Sequence, residues 1–171
     1  MSQKTVIIFS LWTSVLSAIF YHFYGVFCSG FNVPWVMFVC MAIFFGMGMK
    51  PKQTPAAILC AFCGMAWGQI DFLLIGAFTG LGLSMYAASF LSIVIGTVAA
   101  MYLHLKPLGK TPFGHMPYIF AGVCLTFSQG GKNVIGLGSS FVMGIVLAAL
   151  CTLCLNFCLK KFPLEEKDKE K

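Results

Sequence analysis

Arginine is absent from this 171-residue chain, and only 9% of its residues carry a charge. A soluble domain of this length needs a polar surface, and the chain lacks the residues to make one. Acidic residues are nearly missing too: Asp71 is the sole carboxylate before a tail that ends EEKDKEK. No basic face interleaved with aromatics exists, which excludes a nucleic-acid reader, because the lysines sit at the ends of apolar segments instead of forming a patch. The sequence GKT at 109–111 lacks the glycine spacing and preceding strand of a phosphate-binding loop, which argues against primary pumping. His22, His104 and His115 lie on different segments, too scattered for an enzyme built on convergent acids and bases.

What is present is apolar. Hydrophobic residues make up 59% of the chain, with 18 Phe, 18 Gly and 10 Met. This is the composition of an all-α, multi-pass membrane protein that has the lipid bilayer as its solvent. The first apolar segment is too long for a secretory leader and has no small-residue cleavage site after it, so it is expected to be retained. The eight cysteines include a C-x-x-C at Cys60 and Cys63 and a cluster at Cys151, Cys154 and Cys158. All five fall within apolar spans without histidine or acidic companions, so they read as small hydrophobes. No metal and no cofactor is expected.

A membrane-crossing helix needs about 20 apolar residues. Spans are expected near 5–27, 34–49, 54–75, 83–103, 112–128 and 134–158, with Gly76, Gly80 and Gly82 marking a turn and 160–171 forming a charged tail. Lysine placement tests that count. With a cytoplasmic N-terminus, Lys4, Lys50, Lys52, Lys106, Lys110, Lys160, Lys161 and the tail all face the cytoplasm, and Lys132 alone faces outward. This bias is the positive-inside pattern. If spans two and five were re-entrant loops, Lys50, Lys52, Lys106 and Lys110 would move outside.

A short sentence occurs twice. VCMAIFFGMGMK (39–50) closes span two, and VCLTFSQGGK (123–132) closes span five. Ser14-Val-Leu-Ser17 in span one is echoed by Ser89-Phe-Leu-Ser92 in span four. Three spans per half is an odd number, so equivalent halves insert upside down relative to each other, as inverted repeats of transport folds do. Chance in a chain this rich in Phe and Gly is the plain alternative.

The stretch TSVLSAI (13–19), Trp35 with Cys40 downstream, Trp67 after Gly64, and CLTFSQGG (124–131) resemble the bacterial inner-membrane family typified by YcdZ. The resemblance runs over spans one to six and is strongest around span five. It implies a small multi-pass inner-membrane protein and carries no established chemistry. Where that family has Gly-Gln-Gly-Asp after the Phe, this chain has Ser128-Gln129-Gly130-Gly131 and so lacks the acid.

Polar groups inside hydrocarbon are costly, so each needs an explanation. Ser10, Ser14, Ser17, Tyr21 and Tyr24 form one helical stripe in span one, with His22 beside its outer end. They read either as a hydroxyl-lined path or as interhelical packing. Asp71 shares a face with Cys60, Gly64 and Trp67 and is expected near the outer interface, as a gate, proton site or cation-attracting mouth, or else snorkelling to headgroups. Thr126 and Ser128 end span five among glycines, where exposed carbonyls suit a cavity wall, and Gln69 points toward another helix. Trp12, Trp35 and Trp67 read as interface anchors. The Gly64-x-x-x-Gly68 and Gly76-x-x-x-Gly80 motifs offer close contacts and suggest a homo-oligomer.

The leading expectation is therefore a channel or facilitator for a small neutral or weakly charged solute. Its path is lined by Ser14, Ser17, Tyr21, His22, Asp71, Thr126 and Ser128, and narrowed by Phe44, Phe45 and Phe127. A non-transporting scaffold or partner subunit is the alternative.

Overall fold

The computed structural model describes residues 1–162, so most of the expected tail lies outside the described residues. Six α-helices account for most of them: α1 (Gln3–Phe27), α2 (Trp35–Gly46), α3 (Thr54–Gly80), α4 (Met85–Leu105), α5 (Met116–Ser128) and α6 (Val134–Lys161). A 3-10 turn, Pro51–Gln53, leads into α3.

The helix ends follow local chemistry. Ser2 caps α1 by accepting from the Thr5 amide at 3.2 Å, and Ser84 caps α4 by accepting from Ala87 at 3.3 Å. Pro117 sits in the first turn of α5, where a missing N–H costs nothing. The two short helices stop in the same way. Gly48, at φ +61°, donates to Phe45 while Met49 donates back to Phe44; Gly130, at φ +59°, donates to Phe127 while Gly131 donates back to Thr126. This paired closure of the last carbonyls needs a left-handed residue, which glycine adopts freely. The repeated sentence therefore encodes one helix stop, which the end of α3 uses as well: Gly82 donates to Thr79 and Leu83 donates back to Phe78.

Several boundaries differ from the sequence expectation, most of all the end of α3. Helix α3 does not turn at Gly76 but runs on to Gly80, and the chain reverses at Gly82, at φ +93°. A single glycine weakens a helix by only about 1 kcal/mol, whereas the left-handed turn at Gly82 ends it. Helices α2 and α5 are 12 and 13 residues long. At 1.5 Å per residue they reach ~18–20 Å, less than the ~30 Å hydrocarbon layer. Four helices, α1, α3, α4 and α6, are long and apolar enough to cross a membrane.

Packing exchanges the halves of the chain. The most extensive contacts of α3 are with α5 and α4, those of α6 are with α2 and α1, and α3 also packs on α6. Close approach is set by glycine. A methyl group at Gly64 would strike the Ile119 carbonyl, and one at Gly68 would lie 2.7 Å from Thr126 Cβ. On the other side, a methyl at Gly144 would lie 2.6 Å from the Met37 α-carbon and 2.9 Å from Cys40 Cβ. Rising numbers pair with rising numbers in both cases, since the Val33 amide also donates to Ser140 Oγ at 3.3 Å, one turn before Gly144, so α5 runs parallel to α3 and α2 parallel to α6. The centre is filled by Phe44, Phe141, Met37, Ile119 and Tyr118, whose hydroxyl donates to the Cys40 carbonyl at 2.9 Å. The outer faces of α1 and α4 stay apolar and exposed, with Leu11, Phe27, Phe90 and Val98 turned outward.

Candidate functional site

The polar stripe of α1 does not line an interior. Ser10, Ser14, Tyr21 and His22 are exposed on the protomer surface, because α1 packs on α6 along the far edge of that stripe. Ser17 is half-buried and donates weakly to the Met41 sulfur at 3.9 Å, while Tyr21 lies against Phe38, ring centroids 6.1 Å apart. Only Tyr24 turns fully inward, and its hydroxyl meets Ser139 and Ser140 at 2.7 Å each and the Gly136 carbonyl at 3.1 Å. These bonds tie α1 to the first turns of α6.

Thr126 is buried, but its hydroxyl returns to the Gly122 carbonyl of its own helix at 2.8 Å. Ser128 is exposed and bonds back to Leu125 at 2.8 Å. The three phenylalanines do not meet. Phe44 is buried in the core, Phe45 packs edge-on against Phe9, and Phe127 stacks on Phe72 at 4.7 Å. They cannot form one constriction, because α2 and α5 end at opposite ends of the bundle. Gln69 joins another element as expected, donating to the Gly131 carbonyl at 2.9 Å beyond the end of α5.

Asp71 is placed differently from its expectation. With α3 extended to Gly80, nine more residues follow it, so it lies ~14 Å from the helix end by helical rise, not at the interface. It is 3% exposed and faces α4. Ser92 donates to the Asp71 backbone carbonyl at 2.8 Å and reaches its Oδ1 at 3.4 Å. Gly96, one turn on, leaves the space that the carboxyl occupies: a methyl there would collide with Oδ1 and come within 2.9 Å of Cγ. A cavity of about 10 Å³, the size of a single water, adjoins the carboxyl and is bordered by Trp67, Gly96, Thr97, Ile119, Phe120 and Val123.

Trp67 lies one helical turn from Asp71 and lines both that cavity and a second one, which is open to the protein surface. The second, about 260 Å³, is lined by Cys63, Trp67, Ile70, Leu103, His104 and Phe113. Trp67 is thus no interface anchor. Its Nε1–H donates to His104 Nε2 at 3.1 Å, and His104 Nδ1 bonds the Phe113 carbonyl at 2.8 Å. Because Nε2 accepts, the proton of the neutral ring is on Nδ1, which donates to Phe113. His104 is itself buried. A carboxyl, a water-sized space, an indole and an imidazole therefore follow one another along the α3–α4–α5 junction.

Sequence reasoning found Asp71 and missed its partners. Ser92 and Gly96 stand four residues apart, a spacing that places a donor and a gap on one face of α4, and that signal was available. The Trp67–His104 bond was not legible, since it depends on the antiparallel register of α3 and α4. Among the described residues, no three His, Cys, Asp or Glu side chains converge on a point.

These features define a compact all-helical protein of membrane-spanning composition, with one buried carboxyl among the described residues. The chain belongs to DUF1097, a family described as a protein of unknown function, whose model matches residues 10–156. No curated protein and no solved structure is significantly similar to it.

Proposed function

We propose that this protein, a YcdZ-like member of its family, is a six-crossing bacterial inner-membrane facilitator. In this reading it is built as two inverted three-helix repeats with both termini cytoplasmic, and it passes a small neutral or weakly charged solute. The observation that carries the reading is the exchanged packing: α3 with α4 and α5, α6 with α1 and α2. Gly64 against Ile119 and Gly122 matches Gly144 against Met37 and Cys40. A two-fold axis in the membrane plane relates such contacts, and alternating-access proteins are commonly built this way. Helices too short to span alone are stable at depth when enclosed by long ones that satisfy their ends. Gln69 does this for the end of α5.

The path differs from the one expected from sequence. It runs along the α3–α4–α5 junction past His104, Trp67 and Asp71, not along the α1 serines. Flux of small uncharged solutes into proteoliposomes tests this directly. Uptake that is abolished by Gly96→Leu, which fills the space at Asp71, supports the facilitator. Absence of flux for a broad set of solutes, in a folded and correctly inserted protein, favours the scaffold reading.

A further inference from the structure

We propose that Asp71 is an intramembrane proton-binding site, entered from the His104 cavity past a gate formed by the Trp67 indole. The inference rests on the facilitator reading for its purpose, though not for its test.

The geometry selects a proton over a metal cation. A hard divalent ion such as calcium or magnesium needs about six or more oxygen ligands. The space at Asp71 is water-sized, and the oxygens around it come from the carboxyl, Ser92 and Thr97. Ser92 donates its hydrogen to the Asp71 carbonyl and reaches Oδ1, so it brings no charge to the site. The elements packed around the carboxyl bring no compensating cation. Helix α4 presents Ser92, Gly96, Thr97 and Ala100, α5 presents Ile119, Phe120 and Val123, and α3 presents Trp67. Along α4, Tyr102 is exposed and turned outward, and His104, two turns beyond Gly96, bonds to Trp67 instead of to Asp71. An isolated carboxylate in such surroundings carries a large desolvation cost, and taking up a proton removes it.

The gate follows from the same bond. Trp67 lines both cavities, so it stands where a path between them would pass, and it is held by donating to His104 Nε2. If His104 gains a second proton, Nε2 becomes a donor and can no longer accept from the indole, so the tether is lost. The proton then passes from water in the larger cavity, past the swung indole, to an oxygen of Asp71. It leaves by the same route, and no other bond forms or breaks.

The test is infrared spectroscopy of the full-length protein in nanodiscs. The chain contains two aspartates, Asp71 and Asp168. Labelling with [13C]aspartate in an Asp168→Asn background therefore isolates one carboxyl. The expected result is a protonated-carboxylic C=O band that disappears as pH is raised and is unaffected by sodium at fixed pH. In Trp67→Phe, which keeps the ring but not the N–H, exchange of that proton with D2O should quicken about fivefold, the factor one lost neutral hydrogen bond makes to an opening equilibrium. Because the label reads the wild-type carboxyl, the site test does not depend on any variant of Asp71 folding. A carboxylate band at every pH, or a carboxylic band removed by added sodium, overturns the proton site. Unchanged exchange in Trp67→Phe overturns the gate. Solute flux enters none of these readouts, so failure of the facilitator reading is seen separately.

Discussion

Gly64 and Gly122 face each other where α3 crosses α5: a methyl built on Gly64 would lie 2.9 Å from the Gly122 α-carbon, and one built on Gly122 would lie 2.7 Å from that of Gly64. Contact this close is what small residues provide in apolar surroundings, where burial from water supplies no drive and packing must. The Gly64-x-x-x-Gly68 motif is thereby consumed inside the protomer and is not free for self-association. Gly76 and Gly80 remain exposed, with nothing within 4 Å of a methyl at either.

Replacing Gly64 or Gly144 with leucine should destabilise the fold by comparable amounts, on the order of 1–3 kcal/mol or more, since each would drive a side chain into a facing backbone. Gly76→Leu should leave stability unchanged. Thermal unfolding in mild detergent checks both, and equal tolerance at Gly64 and Gly76 would contradict the packing described.

Tyr24→Phe should cost ~0.6–1.5 kcal/mol, because one hydroxyl serves Ser139, Ser140 and the Gly136 carbonyl. Tyr21→Phe, on the exposed side of the same helix, should cost nothing measurable. The comparison separates a hydrogen-bonded tether from a surface hydroxyl, with the unfolding midpoint of each variant as readout.

Thr126→Val should be nearly silent in both stability and solute flux. The hydroxyl bonds only within its own helix, and the valine side chain has nearly the same shape against Gly68. Ser14→Val should be silent as well. A large loss of flux in either variant would return the path to the hydroxyls.

Reporter fusions or accessibility tags should place 106–110 in the cytoplasm and Lys132 outside, as the lysine bias requires. External exposure of both Lys50 and Lys106 would leave α2 and α5 as re-entrant elements and remove the six-crossing topology.

Much of the fold was legible. Five starts or stops follow from residues whose backbone preference is local: Ser2 and Ser84 as caps, Pro117 in a first turn, Gly48 and Gly130 as left-handed stops. The α3 boundary was misplaced because Gly76 and Gly82 are the same letter, and only the backbone conformation at Gly82 distinguishes a tolerated glycine from a turn. The serine stripe was misread for a related cause. Helical periodicity groups Ser14, Ser17, Tyr21 and Tyr24 on one face, but it does not say which edge of that face a neighbour covers. Helix α6 covers the Tyr24 edge and leaves Ser14 outside.

By itself the sequence determined the class of protein, the number of helices and the repeated helix stop, because composition, length and glycine conformation act within a few residues. The tertiary structure alone decided that α3 and α6 pack on helices from opposite halves of the chain. It also decided that Asp71 lies deep beside Ser92 and Gly96, and that Trp67 is tied to His104. Those relations join residues 21 to 37 positions apart. They depend on how antiparallel helices slide against each other, and no local preference of the chain sets that register.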